Sequence, residues 1–335
     1  MTKIKDKILR EYKRLPGVIV SDDEKRIEIP LPGERGHSPG KLSMMFPGGP
    51  ILFNMIDIRS ATIPGIVEDP AAGNAELKIN YCAAGRCELK TARGECTYLT
   101  AGEISVDAGQ ALNTFYYPSG EYKGFEVVFS MQNPAVYDFS LFGEKFPRPE
   151  QLYEVCRNFE HPWIRSAGEE IRRFYSAFQY YTEKNMGTTP ILLECVALLT
   201  VLSGMDYSQA TIRRTYCTVS QAEIAKRARE IIMSDLSVRY TAKALADEFG
   251  ISETSLKNYF RSVYGYGYAE YQQIARMQEA SKLLRETERK VADIGQAVGY
   301  STQAKFGAAF RENFGVTPLE YRRRNRLEGG SYSDE

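Results

Sequence analysis

The stretch LADEFGISETSLKNYF at residues 245–260 is echoed by IGQAVGYSTQAKFGAAF at residues 294–310. Each stretch has an apolar residue at its start, then a glycine (Gly250 or Gly299), then serine or threonine, and then apolar residues at helical spacing. Glycine adopts the left-handed backbone through which a chain leaves a helix, and a hydroxyl side chain caps the next helix. The two stretches therefore predict tandem helix-turn-helix units, in which the second helix of each unit enters the major groove of DNA.

A single long helix is predicted between the two units, over residues 268–285. Apolar and small side chains recur there at helical spacing, from Tyr271 to Leu284. At 1.5 Å per residue such a helix is about 27 Å long, comparable with the roughly 34 Å of one DNA turn. We expect both units to lie on one face of the duplex.

In its order and spacing, this segment resembles the DNA-binding domain of the AraC/XylS-type transcription regulators. The resemblance implies double-stranded DNA as a partner, an activator rather than a repressor, and RNA polymerase as a further partner of an activator. The matching positions are Leu245-Ala246, Ser252, Leu256, Phe260, Tyr271, Arg276, Ala280, Leu283-Leu284, Ile294, Val298-Gly299-Tyr300, Phe306, Phe310-Arg311, Phe314-Gly315-Val316-Thr317-Pro318 and Tyr321-Arg322.

Base-reading side chains are expected on the polar face of each second helix, because the apolar residues face the core. In the first unit the resemblance places base contacts at Thr254, Lys257 and Asn258. Asparagine can pair with adenine, and lysine with guanine. In the second unit the candidates are Gln303 and Lys305. The alternative is that these residues form an ordinary solvated helix face.

The second helix is poorer in donors, because Ala304 and Ala308 stand where relatives often carry long polar side chains. We therefore hypothesise that the first unit carries most of the sequence discrimination, and that the second mainly holds phosphates. Arginine suits phosphate contacts, although Arg276 could instead be a buried structural residue. The phosphate candidates are Arg261, Arg276, Arg311 and Arg322.

Residues 1–145 are predicted to be mostly β, and the resemblance implies a cupin-like barrel that senses a ligand. A helical dimerisation or linker region is expected over 146–206, and the all-α DNA-binding domain over 219–326. Short runs rich in β-branched and aromatic residues, separated by glycine turns, carry the β prediction. These runs are Ile51–Arg59, Leu77–Cys82, Cys87–Thr91, Cys96–Leu99, Glu103–Asp107, Leu112–Tyr117 and Tyr122–Phe129.

A small-molecule effector is expected in the barrel, because its strands supply aromatic walls and a few polar groups. A sugar, a siderophore-like aromatic or an amphipathic acid would each suit it. Two alternatives stay open: control by a protein partner, and a cupin-type enzyme, although the chain has only two histidines, His37 and His161. The ligand-binding candidates are Asn54, Asn80, Tyr81, Arg86, Glu88, Tyr116 and Tyr117.

A nearly all-apolar helix is predicted over Ile191–Met205, and such a helix must be buried. It can be buried in its own domain or in a homodimer, and in the dimer it would use Leu192, Cys195, Val196 and Leu199.

The charge of the chain is divided unevenly. The 43 basic and 43 acidic residues cancel, but residues 221–326 carry 18 basic against 13 acidic ones, a balance of +5, so the remainder carries −5. No apolar run has the length of a signal peptide or a membrane span of ~20 residues. We therefore expect a cytoplasmic protein, whose six cysteines are reduced. Because the chain has only two histidines and no Gly-rich phosphate loop or nucleophile elbow, we expect no enzyme activity and no metal or other cofactor.

Overall fold

A computed structural model describes residues 10, 12, 17–21, 23–31, 40–62, 75–91, 93–109, 111–113, 116–131, 147–208 and 216–329. His37, part of the predicted strand Leu112–Tyr117 and part of the segment 206–218 lie outside the described residues. The chain divides into two compact units, Met1–Tyr216 and Cys217–Glu335.

The first unit is built on an antiparallel sheet. The sheet follows the order β1-β2-β3-β4-β9-β5, and it then branches, because the first half of β5 pairs with β7 and the second half with β6 and β8. β10 pairs with β7. The strands are β1 Ile19–Val20, β2 Arg26–Leu31, β3 Gly40–Gly48, β4 Ile51–Ile58, β5 Glu76–Thr91, β6 Glu95–Thr100, β7 Glu103–Asp107, β8 Ala111–Asn113, β9 Tyr122–Ser130 and β10 Trp163–Ser166.

The predicted β-rich N-terminal part is confirmed, but the cupin-like barrel is not, because the sheet is open. Within the described strands, β1 pairs with β2 alone and β10 with β7 alone, so the two ends of the sheet do not meet. A barrel has no such free edges, since every strand has two neighbours.

Three helices cover one face of this sheet: α1 Pro149–Cys156, α2 Glu169–Glu183 and α3 Thr189–Ser203. Their contact with the sheet is largely aromatic. The ring of Phe178 lies 4.5 Å from that of Phe53 and 4.9 Å from that of Phe125. A second apolar cluster lies on the other face and includes Met44, Cys87 and Tyr122. The sheet is thus buried on both faces.

The second unit is helical except for the two-residue strand β11, Cys217–Thr218. Its helices are α4 Val219–Ser234, α5 Ala242–Glu248, α6 Glu253–Tyr264, α7 Tyr268–Glu286, α8 Val291–Ala297, α9 Gln303–Phe314 and α10 Pro318–Gly329. The pairs α5–α6 and α8–α9 are the two predicted helix-turn-helix units, and α7 is the predicted long helix. The turn glycines Gly250 and Gly299 have φ of +64° and +85°, as predicted.

None of the helices within the described residues combines the length and apolar character that crossing a membrane requires.

Candidate nucleic-acid interface

The helix α6 separates its apolar and polar residues onto opposite faces. Its start is capped by Ser252, whose Oγ accepts a hydrogen bond from the backbone N–H of Ser255 at 3.0 Å. Leu256 and Phe260 point inward and are fully buried. The outward face carries the four polar residues predicted there, all of them exposed: Thr254, Lys257, Asn258 and Arg261.

One of these side chains already has a partner in the protein. The Nζ of Lys257 lies 2.5 Å from Oε1 of Glu253, one helical turn earlier, and this hydrogen bond raises the pKa of the lysine. This ion pair competes with a hydrogen bond from Lys257 to a base.

The helix α9 has the same architecture but a different outer face. Thr302 caps it, Phe306 and Phe310 are buried, and Gln303 and Lys305 are exposed as predicted. The positions equivalent to Thr254, Lys257 and Asn258, 50 residues on, are Ala304, Gly307 and Ala308. Gly307 was not among the predicted site residues, although the 50-residue repeat pairs it with Lys257.

Two of the predicted phosphate-contacting arginines occupy equivalent positions. Arg261 and Arg311 lie in the last turn of α6 and of α9, and both are exposed. Each helix then ends at a left-handed glycine, Gly265 or Gly315, whose N–H donates to the carbonyl of that arginine. Both arginines therefore lie at the C-terminal end of the second helix of their unit, the recognition helix.

The other two predicted phosphate contacts have partners inside the protein. Nη2 of Arg276 donates to the carbonyl of Val238 at 2.9 Å. Burial lowers the pKa of Arg276, and nearby Arg239 lowers it further against the effect of Tyr300. Arg322 donates to the carbonyls of Leu284 and Arg289, at 3.3 and 2.6 Å.

Comparison with known proteins identifies this helical unit. Residues 245–324 match the family model of a helix-turn-helix domain. The regulatory protein SoxS of Salmonella typhimurium is 32% identical over 106 residues, which cover 32% of this chain and 99% of SoxS. The chain belongs to the AraC/XylS family of transcription regulators.

Two further comparisons with this AraC/XylS-family protein, one with a curated relative and one with a solved structure, cover about a third of the chain. The transcriptional activator AggR of Escherichia coli is 28% identical over 127 residues, 37% of this chain and 46% of AggR. The match thus spans about half the length of this relative. The C-terminal domain of AraT, a response regulator from Geobacillus stearothermophilus, is 31% identical and covers 33% of this chain and 92% of that domain, with a TM-score of 0.31. A TM-score this low does not show a common fold.

In the N-terminal unit of this AraC/XylS-family protein, two predicted ligand residues share a row of polar side chains. Asn54 on β4 is opposite Glu126 on β9, which is opposite Asn80 on β5, which is opposite Ser105 on β7. Residues in register on neighbouring strands share a face of the sheet. Asn54 donates to Glu126 at 2.8 Å, whereas Oδ1 of Asn54 and Oγ of Ser105 are buried without a hydrogen-bond partner among the described residues.

The remaining ligand candidates are dispersed. Tyr117 packs in the apolar cluster on the same face as this row, but Tyr81 lies on the opposite face, stacked on Phe125 at 5.5 Å. Glu88 accepts a hydrogen bond from Tyr98 at 2.7 Å, and Arg86 lies over the ring of Tyr98. Tyr116 forms an isolated bridge with Thr62. Ser105 and Glu126 were missed, because their position opposite the asparagines depends on strand register.

The predicted dimer residues on α3 lie mainly inside the first unit. Cys195 and Leu199 are fully buried in the cluster between helices and sheet, Val196 is 7% exposed and Leu192 is half-buried. The exposed apolar residue of this helix is Leu193, at 55%.

All six cysteines are free and buried. Burial raises the pKa of Cys82 and of Cys156 to about 12, and that of Cys87 and Cys195 upward as well. These thiols are therefore protonated at neutral pH and are poor nucleophiles.

Proposed function

We propose that this protein is a sequence-specific DNA-binding regulator of transcription, and that it acts as an activator. The observation that carries the proposal is the outward face of α6, where exposed Thr254, Lys257 and Asn258 stand on a capped helix in a helix-turn-helix unit. Family membership supports regulation of transcription, and relatives such as AggR support activation. Activation requires RNA polymerase as a further partner.

The two recognition helices divide the work unequally in this proposal. The face of α6 offers an amide and an ammonium group to base edges, whereas the equivalent positions of α9 are Ala304, Gly307 and Ala308. Arg311, exposed at the end of α9, is placed to hold phosphate. Arg276 and Arg322 are not needed for phosphate contacts, since both already donate to backbone carbonyls.

Selection from a random duplex library with the full-length protein tests the proposal. We expect a consensus element to be enriched, and affinity for it to fall steeply between 50 and 200 mM salt, by about 10³-fold if six phosphates are contacted. Asn258→Ala should relax base preference at one position of the element, whereas Gln303→Ala should relax it less. Salt-independent binding would contradict DNA recognition, and a larger effect of Gln303→Ala would contradict the unequal division.

We propose further that a small molecule binds the sheet face that carries Asn54, Glu126, Asn80 and Ser105. What supports this is the set of buried oxygens without a donor, Oδ1 of Asn54 and Oγ of Ser105, because buried polar atoms are normally hydrogen-bonded. A ligand with hydroxyl or amino groups would supply those donors. The second candidate is control by a protein partner on the outer surface.

A thermal-shift screen of polar metabolites against the full-length protein distinguishes regulation by a small molecule from regulation by a protein partner. A ligand at 100 times its Kd stabilises the folded state by about 2.7 kcal/mol. Ser105→Ala should weaken that shift, and Ser119→Ala, on an exposed turn, should leave it unchanged. If no metabolite stabilises the protein, control by a protein partner is favoured.

We propose that the protein is a homodimer joined through the exposed apolar residues of α2, α3 and the turn between them. These are Tyr180, Met186 and Leu193, each at least half exposed. Leu193→Glu should convert the dimer to a monomer in sedimentation velocity. Cys195→Ser, inside the core, should lower stability instead. A wild-type monomer at micromolar concentration would exclude this proposal.

A further inference from the structure

Three segments of the helical unit meet at one side chain, Arg276. The carbonyl of Val238, in the loop between α4 and α5, accepts hydrogen bonds from Nη2 of Arg276 at 2.9 Å and from Nε2 of Gln272 at 3.1 Å. The turn of the second helix-turn-helix unit lies against the same guanidinium group at Gly299. A Cβ on Gly299 would lie 2.7 Å from Nη2 of Arg276 and 2.8 Å from the carbonyl oxygen of Ser237.

Arg276 lies where the long helix α7 passes from one helix-turn-helix unit to the other. Before Arg276, Tyr271 packs on the first helix-turn-helix unit, with its ring 5.3 Å from that of Phe260. After Arg276, Met277 and Leu284 belong to the apolar cluster of the second helix-turn-helix unit, together with Phe306 and Phe310. Arg276 therefore joins the loop that precedes α5, through the carbonyl of Val238, to the turn of the second helix-turn-helix unit at Gly299, in addition to the connection that α7 itself makes.

The two turns differ at this point, although their sequences repeat. Gly250 and Gly299 both have positive φ. Around Gly250 a Cβ would meet nothing within 4 Å, whereas around Gly299 it would collide with Arg276 and Ser237. Glycine at 250 is thus required by backbone conformation alone, and glycine at 299 also by the arginine that packs against it.

The surroundings of Arg276 argue against a phosphate contact. The side chain is half-buried, and its Nε is buried with no hydrogen-bond partner among the described residues. Arg261 and Arg311, by contrast, extend from exposed positions at the ends of the recognition helices. A half-buried arginine that donates to the carbonyl of Val238 fixes the local geometry rather than reaching for an external anion.

We propose that Arg276 is a positioning residue that holds the two recognition helices at one separation and angle, and thereby sets the spacing between the two parts of the DNA element that the protein accepts. This inference rests on the proposed function. Two recognition helices that are rigidly joined accept only one distance between their binding sites on the duplex. Each base pair inserted between the sites displaces and rotates one site relative to the other. Two loosely joined readers tolerate several distances.

The test uses the full-length protein and the element that it enriches from a random library. Affinity is measured by fluorescence anisotropy for that element and for the same element with one base pair inserted between its two parts. We expect the insertion to weaken binding by the wild type about tenfold or more. Arg276→Ala should bind the native element more weakly, and the insertion should cost it about twofold or less.

Three matched variants separate positioning from general stability. Arg322→Ala also removes an arginine that donates to backbone carbonyls, those of Leu284 and Arg289. Both carbonyls lie on the side of the second helix-turn-helix unit, so this variant should lower the Tm and keep the wild-type spacing preference. Gly299→Ala should reduce the spacing preference by displacing Arg276, and Gly250→Ala should keep it. The pair of glycine variants keeps the test decisive if Arg276→Ala does not fold.

Several results would overturn the inference. One is a wild-type spacing preference retained in Arg276→Ala or in Gly299→Ala. A second is a salt-dependence slope lower by about one in Arg276→Ala, which would identify a phosphate contact instead. A third is an enriched element of one part only. If the wild type enriches no element at all, the proposed function itself fails.

Discussion

Glu253 and Lys257 stand one turn apart on the outward face of α6, with their charged atoms 2.5 Å apart. DNA phosphates repel the carboxylate, and the ion pair competes with a hydrogen bond from the ammonium group to a base. We therefore expect Glu253→Gln to raise DNA affinity about threefold or more at 50 mM salt, with a smaller gain at 200 mM. Anisotropy titrations at both salt concentrations measure the effect.

The exposed ion pair of Glu223 and Lys226 on α4 supplies the control, since its atoms lie 3.0 Å apart on a helix that is not a recognition helix. Glu223→Gln should leave DNA affinity unchanged. An equal gain in both variants would mean that affinity responds to net charge rather than to the release of Lys257.

Gly307 occupies the interior of α9 for no visible steric reason, because a Cβ there would meet nothing within 4 Å. Glycine in a helix interior costs roughly 1 kcal/mol relative to alanine. Gly307→Ala should therefore raise the free energy of unfolding by about 1 kcal/mol in urea titration. Gly250→Ala, at φ +64°, should lower it. A destabilised Gly307→Ala would show that α9 needs glycine for a contact within the protein.

Residues in the recognition helices were predictable because their positions follow from a local repeat. Thr254, Lys257, Asn258 and Gln303 are exposed where helical spacing places them. The partner of Arg276 was not predictable, because the carbonyl of Val238 is 38 residues away in sequence. Helical periodicity shows which face of a helix is polar, but it does not show which distant backbone atom that face meets.

Among the elements, the strand β5 shows how a local signal can mislead. The sequence predicts two strands here, Leu77–Cys82 and Cys87–Thr91, separated by a glycine turn. The structure instead has one strand of 16 residues, Glu76–Thr91, with a register shift between Cys82 and Ala84. A Cβ on Gly85 would lie 2.1 Å from the carbonyl oxygen of Glu121. This glycine marks a close backbone approach within a bulged strand.

Two elements were missed or assigned wrongly because their stability comes from pairing. The strand Trp163–Ser166 lies in the region 146–206, which was predicted to be helical, and it pairs with β7. The strand Arg26–Leu31 was not predicted, although its residues alternate between buried and partly exposed positions until Pro30. Short strands of this kind depend on distant partners, which periodicity does not identify.

The pair β2–β3 includes a carboxylate that links stability to pH. Burial raises the pKa of Glu28, but hydrogen bonds from Lys41, Ser43 and Arg26 outweigh it, so the pKa is lower than 4.5. A depressed carboxyl pKa stabilises the folded state above the unfolded pKa, and this contribution is lost as pH falls through the folded value. Wild type should therefore lose more stability below pH 4.5 than Glu28→Gln does, as urea unfolding across that range would measure. Parallel curves for the two proteins would contradict the prediction.

At the scale of the whole molecule, the chain combines two kinds of unit. One forms its elements from residues close in sequence, and the other depends on pairing between strands that are distant in sequence. The helical unit consists of helices whose caps and turns are marked locally in the sequence, so its sequence signals and its structure coincide. The sheet unit depends on pairings such as Leu77 with Phe129 on β9, and whether such a sheet closes is not visible in any single strand. The predicted barrel accordingly proved to be an open sheet.

Each unit has apolar clusters of its own among the described residues, and this leads to a prediction about unfolding. The clusters around Phe53 and Met44 belong to the first unit, and the cluster around Phe306 to the second. We expect two calorimetric transitions, because a unit with its own apolar core can unfold as a separate cooperative unit. A duplex carrying the selected element, at 100 times its Kd, should stabilise only the helical unit, by about 2.7 kcal/mol, which is on the order of 10 °C for a unit of this size. Arg322→Ala should lower only that same transition, since its hydrogen bonds lie within the helical unit. A single transition that DNA shifts as a whole would show instead that the two units unfold as one, and that binding at one is felt energetically by the other.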